Sequence, residues 1–123
     1  MTNDITTRLE ILHQASMIDD NELANLYKMI ELLETRFQIR VVGAVGSMFV
    51  SHMAMILVRL RTGDDIAPMN PEMLKQLSKE PGYSRTPEII EAIYKECGIA
   101  VSENESGYVS MHLCTLIMNR GEE

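Results

Sequence analysis

At 123 residues the chain reads as one domain, residues 1–123, able to bury about two-thirds of its unfolded surface. Its net charge of -7, with 11 basic residues scattered along it, excludes the basic stripe of a nucleic-acid reader, and 46% hydrophobic content excludes a disordered polymer. Two Cys without CxxC spacing and an N-terminus with an early acid argue against a secreted disulfide framework or a signal peptide, so a cytoplasmic protein with an aliphatic core rich in its 10 Met is expected.

In chain order, Ile5, Leu9 and Leu12 place a short amphipathic helix over Asp4 to Gln14. His13, at its end, has no ligand or acidic partner at a recognisable spacing and reads as a bystander. Asp19 with Glu22 forms a capping box that opens a second helix. Leu23, Leu26, Tyr27, Ile30, Leu33 and Phe37 give it a regular stripe, expected to run to about Arg40, with Arg36 and Arg40 complementing the helix dipole. The stripe suits packing inside the domain, or alternatively a dimer seam.

Val41 to Val58 is uncharged and apolar on nearly every side. Such a run is a membrane span or a core helix. Its shortness, His52 in the middle, two early Gly and flanking Arg40 and Arg59 favour a core helix that covers all the other apolar faces. Val41 to Gly46 is expected as a turn or loose first turn, and Gly63 as the stop. All four Pro follow, breaking the chain into short pieces. Asn70-Pro71 starts a short helix through Leu77, and Thr86-Pro87 is expected to start another, with Ile89, Ile90, Ile93, Tyr94 and Cys97 on one face and Gly98 as its end. Ser102 to Glu105 reads as a full capping box for a last helix through Tyr108, Val109, His112, Leu113 and Leu116. The fold class is all-α, a compact bundle of about five to six helices.

Two histidines stand on core-type helices, His52 inside the most apolar stretch and His112 on the apolar side of the last helix, so both are expected on buried faces. Arg59 follows His52 by seven residues, nearly in line along the helix, which suggests an anion held beside the imidazole. Glu105 and Tyr108 precede His112 by seven and four residues, positions from which a carboxylate or a phenol can set the ring's tautomer. Metal binding needs several convergent ligands, and no HxxxH, HxxE or CxxC cluster occurs, so no metal or cofactor is expected. A serine triad is weaker still, because no GxSxG elbow accompanies Ser47 or Ser51.

The stretch from Phe49 to Gly63, with His, Arg seven later and Gly eleven later, resembles the first motif of the phosphotransferase-system regulation domain, the PRD. Asn70-Pro71 with Leu74 resembles the next segment, and Glu105-Ser-Gly-Tyr108 leading to His112 resembles the second histidine motif. The resemblance covers roughly Asp4 to Met118 and implies a single, stand-alone PRD-like helical bundle. It implies His52 and His112 as phosphoacceptors, with Arg59 supporting and Glu105 and Tyr108 nearby. It implies a non-enzymatic switch, commonly dimeric, phosphorylated by the histidine phosphocarrier protein or a sugar-transporter component and regulating carbohydrate-related genes. With one PRD-like unit and no basic effector domain, the chain is expected to act through protein contacts, without direct nucleic-acid or membrane binding. The alternatives are a small metabolite- or anion-binding accessory or enzyme using the His52/His112 pocket, and a purely structural dimerisation partner.

Overall fold

The computed structural model describes residues 3–119, and within them every regular element is helical. The helices are α1 (Asn3–Gln14), α2 (Asp20–Thr35), α3 (Gly43–Thr62), α4 (Pro71–Leu77), α5 (Thr86–Cys97) and α6 (Glu103–Met118), with a 3-10 turn (Tyr83–Arg85) before α5. The expected all-α bundle is therefore what forms.

The capping chemistry explains most boundaries. Asp19 and Glu22 close the expected box, each side chain bonded to the other's backbone N–H, at 2.8 and 2.9 Å. Gly63 and Gly98 end α3 and α5 in the left-handed conformation, at φ 81° and 65°. Asn70 accepts a bond from the Glu72 amide and Pro71 occupies the first turn of α4.

Three boundaries differ from expectation. α2 stops at Thr35, short of Arg40. Gln38 turns left-handed at φ 53°, its side-chain amide donates to the Thr35 carbonyl, and Ile39, Val41 and Val42 are pulled into the core as an extended link. Burial of those β-branched residues outweighs the helical periodicity that continues to Phe37. α3 begins already at Gly43, so the Val41–Gly46 stretch is half link and half helix. Thr86 is not the cap of α5 but lies inside it, its hydroxyl donating to the Tyr83 carbonyl of the 3-10 turn.

α3 is long and apolar enough to cross a membrane by length and composition, yet its buried flank packs on α1, α2 and α6. That flank carries Gly46, Phe49, Val50, Met53, Ala54, Ile56 and Leu57. It does not cover every other face, as the sequence suggests it should. α5 packs chiefly on α2 and α6, so the core is shared among five helices. Ile5 and Leu9 from α1, Met29, Ile30 and Leu33 from α2, and Ile89 and Ile93 from α5 complete it. At the C-terminal end of α3, Arg61 donates to the buried Glu22 carboxylate at 2.6 Å, tying α3 to the start of α2.

Candidate functional site

α3 and α6 meet as an antiparallel pair in one register. His52 faces His112, and Arg59, seven residues further along α3, faces Glu105, seven residues earlier on α6. Seven residues are about two turns, or about 10 Å. Phe49, His52, Ile56 and Arg59 on one side, and Glu105, Val109, His112 and Leu116 on the other, repeat at alternating spacings of three and four. This is the spacing of a helical seam, with two apolar layers and two polar ones.

At the histidine layer the two rings stack. Their centroids are 4.2 Å apart and their planes 10° from parallel. His52 is exposed and His112 half-buried. The expectation that both lie on buried faces is thus corrected. The seam is at the molecular surface here, because α3 turns its fully buried flank, Val50, Met53 and Leu57, toward the other helices. The pair opens into a cleft of about 190 Å³ lined by Val45, Met48, Phe49, Met111 and Thr115 besides the rings. At about 30 Å³ per water molecule that is room for several waters. Burial, and then the charge of His52, push the His112 imidazole down to about 4, so it is neutral at pH 7.

At the other polar layer Arg59 forks onto Glu105. Nε donates to Oε2 at 2.8 Å and Nη2 to Oε1 at 2.9 Å. This bidentate geometry is the strong form of the ion pair. The Glu105 side chain is 5% exposed and that of Arg59 28%. The guanidinium is therefore held two turns from His52, and the expected Arg-held anion beside that imidazole has no fork to bind it. The same contact splits the expected capping box of α6. Ser102 accepts from the Glu105 amide at 3.3 Å, but the carboxylate turns to Arg59. Tyr108 packs with Met69, Leu77 and Cys114. Neither Glu105 nor Tyr108 is thus the partner that the spacing offers His112; His52 takes that place.

Three features lie outside what the motifs pointed to. Asp65 accepts from Ser102 at 2.8 Å, from Asn104 at 3.0 Å and from the Ile66 amide, pinning the loop after α3 to the start of α6. Those bonds, led by Ser102, hold its carboxyl below the usual range. His13 does have a partner, the exposed Asp20 at 2.6 Å, since the turn after α1 folds its end back over the start of α2. Beside the histidine cleft a second, apolar groove of about 500 Å³ runs between α4 and α6, with Met73, Leu77, Met111, Cys114 and Met118 in its walls. Among the described residues no three of His, Cys, Asp and Glu converge as a metal site.

The family model of the PRD domain matches residues 27–115, a span that includes both histidines, Arg59 and Glu105. The chain belongs to the PRD family. It is also 31% identical to the protein named "Uncharacterized protein YhfY" of Escherichia coli (strain K12), over 95% of this chain and 98% of that one. No solved structure matches it. The domain places the chain among regulatory modules related to the phosphotransferase system.

The histidine layer of this PRD makes its stability depend on pH. Burial pushes the His112 imidazole from its ordinary value of 6.5 down to about 4 in the fold. Between those values the unfolded state binds the extra proton, so stability is full above pH 6.5 and falls as pH drops toward 4. Allowing for the solvent that reaches the half-buried ring, the loss is about 1–2 kcal/mol. Urea unfolding at pH 7 and pH 4.5 is expected to show it, and His112→Gln to remove that part of the pH dependence.

Proposed function

We propose that this PRD is a switch controlled by phosphorylation at the His52/His112 pair, with the histidine phosphocarrier protein or a sugar-transporter component as donor. The observation that carries the reading is the stacked pair itself, set in an open cleft with one ring exposed. A neutral imidazole nitrogen is a competent nucleophile, and an exposed one can be reached by the phosphorylated side chain of another protein. The added charge then alters a surface at which partners dock.

The output runs through protein contacts in the control of carbohydrate-related genes, in the cytoplasm, with a homodimer as the working form. Exposed Met48, Met73 and Met118, around the two clefts, support a protein-facing surface on this side. The anion-binding alternative uses the same His52/His112 pocket. Since Glu105 occupies the Arg59 fork, the cleft offers an anion no Arg or Lys among the described residues that line it.

The test is phosphoryl transfer from phosphoenolpyruvate through the purified general phosphotransferase components. Acid-labile phosphate is expected on the wild type and none on the His52→Ala/His112→Ala double variant. An unlabelled wild type would refute the reading.

A further inference from the structure

We propose that His52 alone accepts the phosphoryl group and that His112 is its charge partner, taking up a proton as the group arrives. The inference rests on the phosphorylation reading above and divides the work between the two rings.

The first argument is access. Transfer needs the donor's phosphorus about 3 Å from a ring nitrogen, along that nitrogen's lone pair. His52 is exposed toward the cleft, while His112 is half-buried on α6. The lone pair of a neutral His52 nitrogen attacks phosphorus, and the donor's P–N bond breaks. Its electron pair returns to the donor nitrogen, which receives through water the proton given up by the other nitrogen of His52, and His112 draws its own proton from the buffered solvent.

The second argument is the stack. Imidazole lone pairs lie in the ring plane. Planes only 10° from parallel, with centroids 4.2 Å apart, send those lone pairs side by side rather than toward each other. The rings therefore cannot pass the group to one another in line, and it stays where it lands. A second phosphoryl group on His112 would set two dianions within a few Å, which like-charge repulsion forbids.

The third argument is the neighbourhood. Val45, Met48, Phe49, Met111 and Thr115 bring no charge to the cleft. On α3 the next charged group is Arg59 and on α6 it is Glu105, and these two hold each other two turns away. Toward α4, Glu80 lines the adjoining groove rather than this cleft. Among the described residues, about two new negative charges on His52 thus find a single group beside them that can become a cation. In the unmodified protein His112 is neutral because of burial and then the charge of its neighbour. Phosphorylation reverses the sign of that second cause.

Phosphoramidate, a small phosphoryl donor that needs no carrier protein, tests this on the full chain in a His13→Gln background. Peptide mapping is expected to place one phosphate per chain on His52. Ring resonances in NMR titrations are expected to show the His112 protonation midpoint rising from about 4 to above neutrality, a shift of roughly three pH units or more. His112→Gln is expected to keep the phosphate on His52 but to lose the matching step in the phosphorus chemical shift. Two phosphates on one chain, a phosphate on His112, no phosphate on His52, or an unmoved His112 midpoint would each overturn the assignment. Failure of phosphoenolpyruvate-dependent labelling with this pattern intact would instead count against the proposed donor.

Discussion

Arg59→Ala is expected to cost about 2–3 kcal/mol of folding stability, measured as a shift of the urea midpoint in far-UV circular dichroism. The loss comes from Glu105 rather than from the arginine. Its side chain is 5% exposed, and both its oxygens are bonded to the guanidinium. Removing one partner of a fully buried ion pair costs about 3–5 kcal/mol, because a charge is left in the interior alone. Here Arg59 is partly wet, at 28% exposure, and water can enter the gap it leaves, which lowers the figure. Glu105→Gln should cost less, about 1 kcal/mol, since the arginine it abandons can turn to solvent. The double variant Arg59→Met/Glu105→Gln should recover most of what Arg59→Ala loses, because neither side is then left charged and unpaired. A double variant as unstable as Arg59→Ala would show that packing of the arginine stem, not the ion pair, holds the layer.

Gly46→Ala is the second large expected effect, and its sign opposes helix propensity. In an exposed helix interior, Gly→Ala gains about 1 kcal/mol. Gly46 lies buried near the start of α3, and a Cβ there would sit 2.8 Å from the Val41 carbonyl carbon and 3.4 Å from the Ile5 Cδ1 and Val41 Cγ1 atoms. Backbone cannot step aside as a flexible side chain can, and Val41 and Ile5 are both fully buried. Overpacking of this kind costs about 1–3 kcal/mol. The link from α2 would have to move away from α3, so the urea midpoint should fall. Ser47→Ala, one position on and half-buried, should change stability by less than about 0.5 kcal/mol. Equal losses at both positions would refute the close-approach argument.

How much of this was legible beforehand differs from element to element. The ends marked by local chemistry could be read directly: the Asp19–Glu22 box, Asn70-Pro71, and the stops at Gly63 and Gly98. Each depends on a residue's own conformational or hydrogen-bonding preference, which travels with the sequence. The end of α2 did not, because Gln38 adopts a left-handed turn with no glycine to announce it. What decides that boundary is burial of Ile39, Val41 and Val42, a tertiary effect that periodicity along one helix does not contain. The candidate site shows the same division. His52, Arg59, Glu105 and His112 were identifiable as chemically notable residues, but reading each helix alone joined Arg59 to His52 and Glu105 to His112. The true pairs cross from α3 to α6. The signal was present in the matching seven-residue offsets on the two helices, and it becomes informative only once they are taken as antiparallel neighbours.

The layered seam between α3 and α6 has a mechanical consequence. Arg59–Glu105 rivets the two rods at one place, and Asp65 laces the adjacent loop to the same spot. The imidazoles sit about 10 Å away, and no second Arg–carboxylate fork joins α3 to α6 beside them among the described residues. A bulky substituent there would act like a wedge in the jaws of tongs. The near end of α3 is clamped where Gly46 closes on Val41 and Ile5, so the displacement would fall on the end of α6, which carries the exposed Met118.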